Sequence, residues 1–335
     1  MTTPSRATSG NRLRIVFFGS GAFGLPTLQH LAQNHEVLAV ITQPDKPAGR
    51  KRVPTPTPIG QWAAEHLPGA ELIKPQNVNE PGILERVRAF DVGTEAERRG
   101  AWVVIAFGQK LSTPLLADRF AINLHASLLP RWRGAAPINH AILAGDSVTG
   151  NSVITLADRM DAGLVLGQSE RSIGPSVTAG ELHDRLADDG PDLVSSVLAD
   201  YSAGNLSPST QDEAAVTLAG KLHKSTGYID LSTITAEHAR RRIHGLNPWP
   251  GVTVLFRNEP LKLHRVEVAT GRSTQKPGCF EDPKQGLLAT ADGTMLRLIE
   301  VQPAGKRPMP FEAFANGTGI ERGEILAPFQ AAEAR

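Results

Sequence analysis

An asparagine and a histidine two residues apart, in "INLHASLLPRWRGAAPINH", have the types and spacing to do chemistry together. Asn123 and His125 fall in residues 120–125, an apolar run that reads as a strand, so their side chains share one face. An amide beside an imidazole is costly in a core unless both are satisfied. One alternative is therefore a core histidine held by an amide. The irregular loop that follows raises the case for a site, because ligands of α/β proteins gather where strands end. In that loop Arg131 and Arg133 flank Trp132. On an extended segment they point the same way and suit an anion or an RNA backbone; the alternative is two solvated arginines around a packing tryptophan. Downstream, "ADRMDAGLVLG" supplies Asp158 and Asp161. A carboxylate orients a histidine or stabilises its protonated form, and spacing leaves both aspartates open as the partner.

Other chemistries fit poorly. The chain has no G-x-x-x-x-G-K-[ST] loop, no H-E-x-x-H and no C-x-x-C. Its histidines are too scattered to draw a zinc site, and Ser127 near His125 does not form a nucleophile elbow. One cysteine, Cys279, cannot form an internal disulfide, which suits a reducing compartment. Non-covalent acid–base and polar catalysis remains.

The elements that must position these residues begin with a strand at residues 13–18, a helix at 25–32 and a strand at 36–42. Between the first two, Gly19, Gly21 and Gly24 spell G-x-G-x-x-G, the turn of a dinucleotide-binding unit. Asp45 stands near the place of the expected ribose-binding acid, but between prolines, and Phe23 and Pro26 crowd the approach of a pyrophosphate. The glycines suit either a nucleotide or a tight strand–helix turn that needs their backbone freedom. Residues 43–58, with prolines and a basic cluster, read as a long loop, and 59–67 as a helix. Residues 101–107 are a central-strand run; 151–156 and 165–173 read as further strands and 179–198 as a helix. The order is that of an α/β sheet.

Residues 201–214 are rich in Ser, Gly, Pro and Asn and read as a linker. Beyond them come a helix at 236–243 and short strands at 252–256, 261–268, 286–289 and 295–301, the pattern of a small β-rich domain. The 335 residues carry 35 Lys plus Arg against 34 Asp plus Glu, so a formal charge of +1 excludes a generally basic nucleic-acid binder while allowing a local basic site. The opening "MTTPSRATSG" lacks an apolar signal core, and no stretch reaches the ~18 apolar residues of a membrane span. The expectation is a cytoplasmic protein without membrane contact.

Several long, ordered motifs then resemble the folate-dependent formyltransferase family. "INLHASLLPRWRGAAPINHAILAGD" is similar to the family's catalytic segment, and "VVIAFGQKL" to its folate-side strand and loop, with Phe107 where a tyrosine is usual. "TQPDKPAGR" resembles the loop after the second strand. "NPWPG" and "VQPAGKRPM" resemble the carboxy-terminal domain of the branch that acts on charged tRNA. The resemblance runs from Arg12 to Pro328. It implies a Rossmann-like catalytic domain at 12–203, a linker at 204–216 and a smaller, OB-like β-barrel domain at 217–330. The implied reaction moves a formyl group from the co-substrate 10-formyltetrahydrofolate to the methionyl α-amino group of initiator tRNA, in support of translation initiation. No metal and no NAD are implied, and the chain is expected to be a monomer.

The same resemblance assigns catalysis to Asn123, His125 and Asp161, with "MDAGL" selecting Asp161 over Asp158 and Leu164 replacing a second acidic position. The amine attacks the formyl carbon without a covalent enzyme intermediate. Asn123 and protonated His125 stabilise the oxyanion, while Asp161 orients His125. Folate is expected against Ile105, Phe107, Gly108, Gln109, Leu111, Ser127, Leu128, Leu129, Pro130 and Asp158. The loop after the second strand is expected to enter the tRNA acceptor region with Lys46, Arg50, Lys51 and Arg52, Arg50 matching the family's arginine. Lys221, Lys224, Arg240 and Arg241 are candidate phosphate contacts in the second domain. The glycine turn then becomes the floor beside a folate rather than a nucleotide clasp, since Gly21 falls where the family has proline.

Overall fold

The strands Arg14–Gly19 and Gly100–Ile105 are apolar along nearly their whole length and pair in parallel, Arg14 with Gly100 through Gly19 with Ile105. Strands of that kind are stable only when both faces are covered. In this computed structural model, which describes residues 12–49 and 52–329, they form the centre of a seven-stranded sheet. The order across it is Val165–Ser172, Val148–Thr155, Ala121–His125, Gly100–Ile105, Arg14–Gly19, Glu36–Ile41 and Glu71–Ile73. The last five in that order are parallel, and Val148–Thr155 runs antiparallel to Ala121–His125. Phe18, Trp102 and Phe107 pack on one face, with ring centroids 5.3 and 5.7 Å from Phe18. The amino-terminal segment read for a signal, and Arg50 and Lys51 of the basic cluster, lie outside the described residues.

The glycine turn has a packing explanation. A Cβ on Gly19 would meet the Phe17 ring at 2.5 Å and the Ile105 carbonyl at 3.0 Å, and one on Gly24 would meet the Ile105 side chain at 3.1 Å. The helix Leu25–Asn34, with proline in its first turn, thereby lies close on the central strand.

Residues 43–58 depart from the expected loop. Lys46–Ala48 and Val53–Thr55 pair as an antiparallel ribbon, Lys46 opposite Thr55 and Pro47 opposite Pro54. A free ribbon with no third strand tolerates prolines that a sheet interior would not. The sequence reading also passes over the strand Glu71–Ile73 and the helices Pro81–Arg88 and Phe311–Thr318.

By the way its backbone clusters, the chain divides into two compact units. Of the described residues, the first holds those up to Pro130, Gly150–Glu170 and Asp184–Val216; the second holds Arg131–Thr149, Arg171–His183 and those from Thr217. In the second unit an antiparallel sheet runs Phe280–Asp282, Leu287–Ala289, Met295–Pro303, Glu259–Ala269, Val252–Phe256, Leu326–Pro328. Its outer strands meet at a bridge between Cys279 and Ile325, where Phe280 N–H donates to the Glu324 carbonyl at 2.8 Å and Leu326 N–H to the Gly278 carbonyl at 2.9 Å. The sheet therefore curls into a small OB-like barrel, filled by Val254, Phe256, Phe280, Leu298 and Phe311.

The helix Ala236–Gly245 carries His244 into this second core. Its Nδ1 faces the Pro175 carbonyl at 3.2 Å and its Nε2 accepts the Val266 N–H at 3.2 Å, so the ring is neutral with its proton on Nδ1. Burial first, then the nearby Arg240 charge, pushes its pKa from 6.5 to about 4. The unfolded chain takes up this proton near pH 6.5 and the folded chain only near 4. Stability is thus complete above 6.5 and falls by up to about 3 kcal/mol as the pH drops to 4. Urea midpoints at pH 7 and 4.5 test this: His244→Gln should show a much smaller acid-dependent loss than the wild type. Equal losses would remove His244 as the cause.

Candidate active site

The strand Ala121–His125 sits between a parallel and an antiparallel neighbour, with Asn123 opposite Val104 on one side and Ile154 on the other. That pairing fixes the register and therefore the shared face of Asn123 and His125. Both stand at the carboxyl end of the parallel strands, where Gly19 and Ile105 also end. Ser20 and Gln43 there both donate from their side chains to the Phe107 carbonyl, at 3.1 and 3.2 Å.

His125 is opposite Ser152 in the register, and Ser152 pins the loop that leaves the strand. Its hydroxyl donates to the Ser127 carbonyl at 2.6 Å and accepts from Leu129 N–H at 3.0 Å and Gln168 Nε2 at 2.8 Å. One donor and two acceptor sites are all that a serine has. Sequence reasoning missed Ser152 and Gln168; a serine inside the apolar run "NSVITL" was the available signal.

The structure brings Asp161, not Asp158, to His125. Asp161 Oδ2 lies 3.7 Å from His125 Nδ1, within ion-pair range, and their side chains are 13% and 7% exposed. Asp158 is exposed, and its nearest described partner is the Thr113 hydroxyl at 3.5 Å. Asp161 has φ of 53°, a left-handed conformation that aspartate tolerates better than most residues. Two residues on, Gly163 lies against the neighbouring strand so closely that a Cβ would be 1.7 Å from the Thr155 carbonyl oxygen. Thr155 also exchanges hydrogen bonds with Leu164, its N–H donating to the Leu164 carbonyl and its hydroxyl accepting the Leu164 N–H, both at 2.9 Å. The His125 strand, its partner and the Asp161 loop are thus one continuous hydrogen-bonded structure.

The residues expected at the folate divide by burial and contact. Phe107 and Leu111 are buried in the apolar core and Ile105 lies under Gly24. Gln109 turns its amide into the scaffold, accepting from Val78 N–H at 2.7 Å and donating to the Pro75 carbonyl at 3.1 Å. Ser127 and Leu129 are buried, and Leu128 and Pro130 are half-buried. Ala106 and Gly108 are exposed and take φ of 48° and 82°, presenting backbone at the strand end. A Cβ on Gly21 or Gly108 would have no heavy atom nearer than 3.4 or 3.7 Å, so a flat ring can approach there. Asp45, the candidate ribose acid, is instead paired with Lys74 at 2.6 Å.

The basic candidates also separate. Lys46 and Arg52 are exposed on the ribbon, as are Lys221 and Lys224 in the second unit. Arg240 is less accessible than the sequence suggests: its side chain is only 14% exposed, clamped on Glu237 at 2.7 Å and bonded to the Pro175 carbonyl. Arg241 is held by the same carboxylate at 2.6 Å and by the Ala144 carbonyl at 3.0 Å. These two guanidiniums hold Glu237 near a pKa of about 2 and tie its helix to the Pro175 and Ala144 carbonyls. Arg131 and Arg133 do not point together, because Trp132 has φ of 63° and breaks the extended run. Arg133 is buried, whereas Arg131 is exposed and bonds Asp146 at 2.7 Å. Among the described residues no group of three or more His, Cys, Asp or Glu is placed to hold a metal ion, and no helix is long and apolar enough to cross a membrane.

Comparison with known proteins bears on most of the chain. Residues 13–198 match the formyl transferase family, and residues 221–319 match the formyl transferase C-terminal domain. The chain is 40% identical over 311 residues to a methionyl-tRNA formyltransferase of Methylococcus capsulatus, covering 92% of this chain and 98% of that one. It is 41% identical over 313 residues to that of Leifsonia xyli subsp. xyli, covering 92% and 99%. Among solved structures it superposes on the sugar 3N-formyl transferase WlaRD, determined with dTDP and 5-N-formyl-THF, at a TM-score of 0.64. That likeness, at 13% identity over 89% of this chain and all of the other, is one of fold.

Proposed function

The chain belongs to the methionyl-tRNA formyltransferase family, and from that premise we propose that Asn123, His125 and Asp161 transfer a formyl group to the methionyl amine of initiator tRNA. The observation that carries the residue assignment is the 3.7 Å approach of Asp161 to His125 beside Asn123 at the sheet's carboxyl end.

10-Formyltetrahydrofolate supplies the formyl carbon, bound to a nitrogen that can leave. The open backbone at Gly21, Ala106 and Gly108 fits its flat ring, with Leu128 and Pro130 beside it and Phe107 and Leu111 as the apolar foundation. Asn123 donates hydrogen bonds to the negative charge that gathers on the formyl oxygen as an amine adds to the carbon. His125 stabilises the same charge and holds or returns a proton at Nε2, while Asp161 steadies the ring from Nδ1. None of these roles needs a covalent bond to the protein.

For tRNA, the reading uses the exposed ribbon of Lys46 and Arg52, with Arg50 and Lys51 between them in sequence, and Lys221 and Lys224 of the second unit. These are phosphate-type contacts, which position a nucleic acid without reading its bases. On this reading the enzyme acts as a monomer in the cytoplasm. The decisive experiment follows labelled formyl from 10-formyltetrahydrofolate to charged initiator tRNA, with elongator methionyl-tRNA in parallel. Selective labelling of the initiator supports the proposal; folded protein that labels neither overturns it.

The ribbon has its own test. Replacing Lys46 and Arg52 together by alanine should raise KM for tRNA about tenfold, leave KM for folate unchanged and reduce the salt dependence of tRNA binding. A parallel loss of folate binding would indicate damage to the fold instead.

A further inference from the structure

The segment after the long helix Ala179–Ala203 reads as a featureless linker, yet alternate residues of it grip the loop that carries Asp161. Ser209 and Val165 exchange backbone hydrogen bonds, each at 2.9 Å. Gln211 Nε2 donates to two carbonyls, those of Asp161 and Gly163, both at 2.8 Å. Glu213 closes the far end with a two-toothed pair to Arg159, at 2.9 and 3.2 Å. Residues 209, 211 and 213 thus meet 165, 163 with 161, and 159 in turn, as an extended chain running antiparallel to the loop would. Gln211 is only 6% exposed, and both amide hydrogens are used on that one loop.

We propose that Gln211 is a positioning residue of the reaction, fixing Asp161 in the conformation that faces His125. The inference rests on the reading of Asp161 as the carboxylate partner of His125. Asp161 has a left-handed backbone, and the orientation of its side chain follows from how its flanking peptides are held. The Asp161 carbonyl belongs to one of those peptides. A donor on that carbonyl and another on Gly163 stop the loop from relaxing to an ordinary negative φ, which would swing the carboxylate off Nδ1. On this proposal Gln211 acts through the aspartate and not on the reacting atoms.

The test uses Gln211→Met, which keeps length and loses both donors, alone and with Asp161→Asn in the full-length enzyme. Gln211→Met should lower kcat about 10- to 100-fold with both KM values within about twofold of wild type, as expected of a misplaced catalytic group. In the Asp161→Asn background the same change should alter kcat by less than about twofold, because the residue it positions is already disabled. A structural role elsewhere would leave the two losses multiplicative, and that result overturns the proposal, as does wild-type kcat in Gln211→Met. If Asp161→Asn alone is fully active, the assignment of Asp161 fails, and it fails without Gln211 being touched. Should Gln211→Met not fold, Gln211→Glu carries the same test. It keeps the shape but sets a carboxylate against two carbonyls, so its kcat deficit should widen as the pH rises past the glutamate's titration. That widening should vanish with Asp161→Asn; a deficit indifferent to pH or to Asp161 also overturns the proposal.

Discussion

Replacing His125 by alanine is expected to lower kcat for formyl transfer about 10²- to 10³-fold while changing KM for tRNA and folate little. The imidazole is nearly buried and has a carboxylate on its Nδ1 side, and on the proposed reading its Nε2 serves the reacting group. Its removal takes away a charge-stabilising donor and a proton carrier at once. Both contributions are felt most where charge develops, so they appear in turnover rather than in binding. The strand that carries His125 is paired on both sides and does not depend on the ring. The variant should therefore fold, with an unchanged circular dichroism spectrum and a modest loss in Tm. Folded His125→Ala with near-normal kcat would rule out the catalytic role.

The second large effect belongs to a residue with no functional group. Gly163→Ala places a methyl 1.7 Å from the Thr155 carbonyl oxygen, a distance at which something must move. Thr155 is paired to Ile122 on the strand that carries His125 and is the less yielding partner. The loop gives way instead, and Asp161 moves with it. A displacement of about 1 Å in a catalytic group costs roughly a hundredfold in rate, so kcat should fall to about the level of Asp161→Asn. Unlike Asp161→Asn, it should also lower Tm by several degrees, because the Thr155–Leu164 hydrogen bonds are strained together with the loop. Steady-state kinetics and a melting curve separate the two variants. Wild-type kcat in Gly163→Ala would mean that the loop tolerates the shift and that Asp161 is not held by it.

The parts of this site legible in the sequence share one property: they follow from the two-residue period of a strand or from a motif carried whole. Asn123 and His125 were readable as a pair because a strand alternates its faces, and the apolar runs at 13–18 and 101–107 betrayed central strands. Asp161 over Asp158 came from resemblance; in the sequence both are aspartates in a turn. What escaped depends on partners distant in sequence. Arg133 read either as half of an anion-binding pair or as a solvated arginine, and it is instead buried, next to a left-handed Trp132 that breaks the extended run. Arg240 looked available to a phosphate, but Glu237 three residues before it and the Pro175 carbonyl sixty-five residues before it take up the guanidinium. Gln211 lay in a polar, turn-rich stretch where nothing local marks it, and its importance comes from two carbonyls about fifty residues earlier. The ribbon at 46–55 was hidden by its own prolines, which argue against a sheet interior but not against a two-stranded arm.

The way the barrel of the second unit shuts has a consequence for the chain as it is made. Its seam joins Phe280–Asp282 to a strand that ends at Pro328, so every earlier barrel strand is translated before the closing one exists. Until residue 328 leaves the ribosome, the backbone amides near Phe280 and the outer edge of Val254–Phe256 face water or any other extended chain. The first unit has by then received all of its segments, the last ending at Val216. A nascent chain stalled short of its final strand would therefore carry a finished catalytic sheet and an open, adhesive barrel. In such a product, aggregation rather than lost chemistry would be the first symptom.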